Sequence, residues 1–340
     1  MVSSLSVWRG KGDRRLMAKY HVIYDVYYMY YRYKFLLDSD KLRKLSTDVP
    51  QDFLEIYNKL REMHGMEKSD STIDVSYVYY PLRGIEAELS KYLNTEDEVA
   101  ISICFDSKTE RHTEGHDYKS NRAGKLSAID HFNIDFMEMI LRMVGYNVCK
   151  QPGYEADDLI FSLVHLYKKD FDKTVIFTPD ADVLVNIDDN VSVFRYKTFE
   201  HKHIEFNKDT FEELMSKEYK CRMPYNSIVL YKCLCGDKSD TISGVKGFGP
   251  KSFDKLITRL EEQGEDFTKL LDYERVAQII TENTDIICSK VGSSITQAME
   301  ALELVKNYLC ENMEKPPILN KETIRANKDS VYVNSLHFKL

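Results

Sequence analysis

Nine acidic residues are spaced so that they could assemble sites for divalent cations: Asp25, Asp106, Glu155, Asp157, Asp158, Asp180, Asp182, Asp237 and Asp240. Carboxylate oxygens are hard donors that suit Mg²⁺, an ion that keeps several of its own waters and needs few protein ligands. Two such ions about 4 Å apart can lower the pKa of a bound water and clamp a phosphate between attacking and leaving oxygens. Phosphodiester hydrolysis is therefore the chemistry to expect if the acids converge. Each also has a plainer use. Glu155, Asp157 and Asp158 open a helix, where the dipole favours acids. Asp180 and Asp182 follow Pro179 as turn residues do, and Asp237 and Asp240 could turn or cap the chain. Asp25 and Asp106 are harder to explain structurally, because each directly follows an apolar run.

The stretch Gly236 to Lys251 adds a second chemistry. After Asp237 and Asp240 comes a turn with Gly244, Gly247 and Gly249, which opens a helix at Pro250-Lys251. The unpaired N–H groups of such a helix start are a ready grip for phosphate, and Lys246, Lys251 and Lys255 would add positive charge along it. A phosphate grip beside metal ligands suggests that nucleic acid is held and cut. Residues 107–127 are polar and basic, with Lys108, Arg111, Lys119, Arg122 and Lys125 beside His112 and His116.

These groups need elements to hold them. Tyr20–Tyr24 reads as a buried strand ending at Asp25, followed by an aromatic helix, Val26–Leu37. A helix is expected at 51–63 and an apolar strand at Val99–Phe105, ending at Asp106. A helix at 129–144, a strand at Tyr146–Cys149, a turn at Pro152-Gly153, a helix at Glu155–Lys168 and a strand at Thr174–Thr178 follow. Strands alternating with helices predict an α/β fold, a central mostly parallel sheet covered on both faces. Sites in such sheets gather beyond the carboxyl ends of the strands, where Asp25, Asp106, Asp180 and Asp182 would lie. Beyond residue 205 the pattern is helical, at 208–219, 225–235, 250–261, 274–287 and 293–310, with a strand at Ser330–Asn334. The expected organisation is a basic arm at 1–19, an α/β core at 20–205, a backbone-gripping region at 206–290 and a C-terminal helix and tail at 291–340.

Composition narrows the field less than the motifs do. At 43% apolar, the 340 residues can bury a core, and no apolar run is long enough to span a bilayer. No secretory signal is visible. Seven cysteines without framework spacing fit a reducing, cytoplasmic compartment. Cys233 and Cys235 lack partner ligands and read as helix residues rather than a zinc site. The net charge of −8 argues against a generic nucleic-acid binder, but setting the nine acids aside leaves 46 acidic against 47 basic side chains.

Five blocks in this order resemble the flap endonuclease and 5′→3′ exonuclease family, especially its phage members and the nuclease domain of bacterial DNA polymerase I. They are Asp25 with Arg32; Phe105-Asp106-Ser107-Lys108 with Tyr118-Lys119-Ser120-Asn121-Arg122; Tyr154-Glu155-Ala156-Asp157-Asp158; Thr178-Pro179-Asp180-Ala181-Asp182; and the Gly236–Lys251 segment. The resemblance implies a first Mg²⁺ position at Asp25, Asp106, Glu155 and Asp157, with Asp158 as a further candidate, and a second at Asp180, Asp182, Asp237 and Asp240. Mn²⁺ could substitute. It implies that 107–127 arches over the site, with Lys119 and Arg122 on the scissile phosphate and Tyr118 stacked on a base. The glycine turn would be a helix–hairpin–helix element that grips duplex backbone through Gly244, Lys246, Gly247, Gly249, Lys251 and Lys255 and holds K⁺ on backbone carbonyls. Arg32 joins this nucleic-acid-binding set.

The function so implied is a monomeric, structure-specific 5′ nuclease for flaps and single-strand/duplex junctions in DNA, and for RNA–DNA hybrids, in primer removal or repair. An RNA endonuclease on a related acidic fold is the enzymatic alternative, and a non-catalytic junction binder the alternative from another class. The duplex-gripping turn counts against the first. Against the second, clustered carboxylates without metal would repel DNA. The chain departs from the family pattern at Val26 for Gly, Ala181 for Lys, and Thr241 and Ser243 for Asn and Pro. No sliding-clamp peptide and no polymerase domain is recognised.

Overall fold

The computed structural model describes residues 17–38, 49–69, 72–89, 97–109, 126–197 and 202–319. Strand β1 (Lys19–Asp25) is buried beyond its first residue, as a strand covered on both faces must be. It lies at the centre of the sheet, parallel to β2 (Glu98–Cys104) on one side and to a later strand, Lys173–Phe177, on the other. β3 (Asn147–Cys149) pairs parallel beyond β2. The strand Lys173–Phe177 is β4, and β5 (Val191–Lys197) runs parallel beside it. β6 (Lys202–Phe206) closes that edge antiparallel, giving the order β3-β2-β1-β4-β5-β6. A separate ribbon pairs β7 (Gly236–Asp237) with β8 (Ile242–Ser243). β9 (Ile318–Leu319) lies antiparallel to Val99 and Ala100 of β2.

Side chains alternate across β1 with the strand period of two, and each set meets its own layer. Tyr20, Val22 and Tyr24 enter an aromatic-rich core with α1 (Val26–Asp38), α2 (Gln51–Met63), α3 (Thr72–Leu89) and α4 (Ala128–Met143). Ile23 enters the other core, with α5 (Ala156–Tyr167), α6 (Lys208–Tyr219), α7 (Ile228–Cys235) and α8 (Pro250–Glu262). That core continues through α9 (Tyr273–Glu282), α10 (Thr284–Ile287) and α11 (Ile295–Val305). The helical region after residue 205 thus shares one apolar cluster with the sheet.

The expected alternation and parallel sheet are present, with several differences. α3 carries Pro81 and Gly84 inside a run rich in Val and Tyr, residues that mask a helix from propensity. The hairpin of β5 and β6 was likewise not anticipated. The helix expected at 274–287 breaks at Asn283, and the one expected at 293–310 stops at Val305. Tyr118, Lys119, Arg122 and Ser330–Asn334 lie outside the described residues. Among the described residues no helix is long and apolar enough to cross a membrane.

Candidate active site

The carboxyl edge of the sheet collects the acids, because three parallel strands end there together. Asp25 closes β1, and it accepts from the Tyr27 N–H (2.8 Å) and from the Thr178 hydroxyl just past β4 (3.0 Å). Thr178 in turn accepts from the Asp180 N–H at 3.1 Å, and Asp180 accepts from the Asp182 N–H at 3.0 Å. A chain of short-range bonds therefore fixes the acids after β4 against the acid that ends β1. Burial, with Asp106 and Asp180 close by, pushes the Asp25 carboxyl up to about 7, although Tyr27 and Thr178 pull it the other way. Crowded, desolvated carboxylates of this kind are the environment that a divalent cation relieves.

The start of α5 brings three more acids to the same edge. Asp106, just beyond β2, accepts from the Ala156 N–H at 2.7 Å, tying the strand end to the first turn of the helix. The backbones of 107–108 and 153–154 bond reciprocally, Ser107 N–H to Tyr154 O and Gly153 N–H to Lys108 O, both at 3.1 Å. Glu155, Asp157 and Asp158 offer carboxylate oxygens all within 4.8 Å of one another. Asp158 is fully buried and both of its oxygens are engaged, Oδ2 by the Glu155 N–H (3.0 Å) and Oδ1 by the Tyr308 N–H (2.8 Å).

A second cluster joins Asp182, Asp237 and Asp240, again within 4.8 Å. Asp180 is not in it; its carboxylate accepts from the Asp182 backbone N–H and is near enough to Asp25 to help raise that carboxyl. Sequence reasoning missed the cation at its centre. Lys232, with its side chain 4% exposed, pairs with Asp182 and reaches Asp237 Oδ2 at 2.5 Å. Burial would raise the Asp237 carboxyl, but Lys232 and the bonds from Ser239 outweigh it and hold it below the ordinary value. Three carboxylates against one ammonium leave a net charge near −2, which one divalent cation would balance. The signal was a lone lysine in an otherwise apolar helix, Ile228–Cys235, where a charge must have a partner. Both clusters consist of oxygen donors, so the residues present fit divalent metal.

The same ribbon leads into the glycine turn. Gly236 has φ +80°, and a Cβ on Gly244 would stand 2.4 Å from the Gly236 nitrogen and 2.3 Å from the Cys235 carbonyl carbon, so only glycine fits there. Gly247 turns the chain at φ +76°, Gly249 caps α8, and Pro250 occupies its first turn. Lys246, Lys251 and Lys255 are all exposed, while Phe253, Leu256, Ile257 and Leu260 bury the opposite face. Arg32, by contrast, is turned inward, ion-paired to Glu88 at 2.6 Å. It lines a cleft of about 310 Å³ whose walls also include Tyr27, Tyr31, Phe35, Pro179 and Tyr196.

Known proteins resemble the chain in sequence and in fold. Residues 23–216 match the family described as 5′-3′ exonuclease, N-terminal resolvase-like domain. DNA polymerase I of Caldicellulosiruptor bescii is 34% identical over 250 residues, covering 71% of this chain and 27% of that protein. The 5′-3′ exonuclease of Mycoplasma pneumoniae is 32% identical over 231 residues, covering 61% of this chain and 76% of that one. The chain thus spans about a quarter of the first relative and three quarters of the second. The T5 D15 protein, crystallised with metal ions, shares the fold at a TM-score of 0.50 and 15% identity, over 94% of this chain and 100% of that one. With the match extending from the middle of β1 to α6, the chain belongs to the 5′-3′ exonuclease family.

Proposed function

We propose that the chain is a structure-specific, metal-dependent 5′ nuclease that hydrolyses phosphodiesters near single-strand/duplex junctions in DNA, as flap endonuclease and 5′→3′ exonuclease. The observation that carries this reading is one continuous segment. The β7–β8 ribbon holds Asp237 and Asp240 in an acid cluster and within four residues of Asp240 enters the Gly244–Gly249 turn, which opens α8. A grip for duplex backbone is thereby fixed at a set distance from the carboxylates. Contacts to backbone alone carry no base sequence, so recognition is of junction shape.

In this reading Asp25, Asp106, Glu155 and Asp157 hold one metal and Asp182, Asp237 and Asp240 the other, with Asp180 near Asp25 and Asp182. Two Mg²⁺ ions held there supply an acidified water and positive charge against the phosphate. The chain's own groups do the rest. Lys232 holds Asp182 and Asp237 in register. The turn's N–H groups and Lys246, Lys251 and Lys255 bind duplex phosphates. Lys119 and Arg122 are assigned to the scissile phosphate, Tyr118 to a stacked base, and K⁺ to the turn carbonyls. RNA–DNA hybrids are included among the substrates, and the active form is a monomer.

A labelled 5′-flap duplex incubated with Mg²⁺, and separately with EDTA, tests the reading. Metal-dependent cleavage within about a nucleotide of the junction is expected, and Asp180→Asn should abolish it without changing the circular dichroism spectrum. Binding without cleavage under Mg²⁺ and Mn²⁺ alike would leave a junction-binding protein instead. Cleavage confined to single-stranded RNA would favour the RNA endonuclease.

A further inference from the structure

After α11 the chain does not continue as helix but crosses α5 as an extended strap. Tyr308 N–H donates to Asp158 Oδ1 at 2.8 Å, and two residues on, Cys310 N–H donates to Ser162 Oγ at 2.8 Å. Asp158 and Ser162 are four apart on α5, one helical turn, so two rungs of an extended segment meet two successive turns of one helix face. Ser162 Oγ also donates to the Asp158 carbonyl at 2.7 Å. Both side chains are completely buried. Further along, Tyr167 donates to Met313 O, Lys315 pairs with Asp170 at 2.7 Å, and β9 joins the sheet at Val99 and Ala100 of β2. Cys310 and Met313 sit in the same apolar cluster as Leu159 and Leu163 of α5.

We propose that Asp158 is a positioning residue, and that the strap at 306–319 clamps it so that Glu155 and Asp157 are held in metal-binding geometry. The inference rests on the nuclease reading only in taking these two acids as ligands. With one oxygen on the Glu155 N–H and the other on the Tyr308 N–H, Asp158 links the backbone of a ligand residue to a segment 150 residues away. A carboxylate accepting two backbone N–H bonds in a dry site is firmly fixed. Removing such an outer support of a metal ligand typically costs about tenfold or more in metal affinity. The Ser162 rung lies one turn farther from the acids and holds the strap without touching a ligand.

The two rungs can be separated. Tyr308→Pro deletes the N–H that Asp158 accepts, and Cys310→Pro deletes the N–H that Ser162 accepts. Tyr308→Ala keeps the backbone donor and removes only the half-exposed ring. Mn²⁺ titration followed by the paramagnetic resonance of the free ion reads affinity without any nucleic acid. Tyr308→Pro should weaken one class of Mn²⁺ site about tenfold, with Cys310→Pro and Tyr308→Ala near wild type. Wild-type affinity in Tyr308→Pro, or an equal loss in Cys310→Pro, would overturn the proposal. Linkage supplies a second test in the unmodified protein, for a Tyr308→Pro chain that fails to fold. If the strap favours the metal-binding geometry, bound metal must in return hold the strap. Ca²⁺ should therefore slow amide exchange in a peptide spanning 306–313. Metal binding with exchange there unchanged would refute the clamp alone. No binding of Mn²⁺ or Ca²⁺ at all would remove the nuclease reading together with it.

Discussion

At the scale of single residues, charge and backbone conformation give the sharpest consequences. Lys232 is buried between Asp182 and Asp237, and deleting one member of a buried ionic set costs about 3–5 kcal/mol because the remaining charges stay desolvated. Lys232→Met should therefore lower the urea midpoint of the metal-free protein in EDTA, and Mg²⁺ should recover part of the loss. An unchanged midpoint would mean that water already solvates the three acids. Thr241, next to Asp240, adopts φ +57°. A β-branched residue in the left-handed region is strained by about 1 kcal/mol or more, whereas Asn tolerates it. Thr241→Asn is expected to stabilise the fold by about that amount in a urea titration. A loss would show that the Thr241 hydroxyl bond to the Asp240 carbonyl, 2.6 Å, outweighs the strain. The acids were legible in the sequence because Asp25, Asp106, Asp180 and Asp182 end or follow strands, Glu155, Asp157 and Asp158 open a helix, and Asp237 and Asp240 lead into the glycine turn. Lys232 was not, since one lysine among apolar neighbours has no spacing to read.

Elements were legible where hydrophobic period and propensity agree and obscure where packing overrides propensity. β1, β2 and β4 are short apolar runs ending in or just before acids or turns, and α5 has a continuous apolar face; each was read close to its true bounds. α3 was missed because Tyr, Val, Pro81 and Gly84 are poor helix signals. Its helix is held by contact with α1, and Gly84 lies against the Tyr33 ring of that helix. A Cβ there would stand 1.7 Å from the Tyr33 hydroxyl oxygen and 2.6 Å from its ring carbon. Two effects then compete. Alanine gains about 1 kcal/mol over glycine in a helix interior, and overpacking costs about 1–3 kcal/mol. With Tyr33 present, Gly84→Ala should be net destabilising by about 1 kcal/mol, the balance of those two. In a Tyr33→Ala background the clash is gone and the same substitution should become stabilising by about 1 kcal/mol. The reversal of sign, read from paired thermal or urea melts, is the test; destabilisation in both backgrounds would place the constraint elsewhere.

For the whole molecule, the acids couple folding to pH and to metal. The alternation of strands with helices made the fold class legible, but not the strap and β9, since long-range backbone bonds leave no periodic trace. What the assembled edge does to stability follows from Asp25. In the metal-free protein its carboxyl is raised to about 7, chiefly by burial and then by Asp106, from the ordinary 3.8 that the unfolded chain retains. Between those values the folded state binds a proton that the unfolded state has released, so stability from this group falls as pH rises through the window. It is fully present below about 4 and gone above about 7. Divalent metal acts in the opposite sense, because it binds the ionised carboxylates of the folded state alone and stabilises by mass action. Thermal melts in EDTA should therefore show wild type losing stability relative to Asp25→Asn as pH rises from 5 to 8. The stabilisation given by a saturating excess of Mg²⁺ should be larger at pH 8 than at pH 5 in wild type. A wild-type-minus-variant difference that stays flat across the range would mean that Asp25 is already ionised without metal, held so by Thr178 and Tyr27. The edge would then be a preformed anionic site that binds metal without releasing a proton, and pH-stat measurement during Mg²⁺ addition at pH 6 would register none.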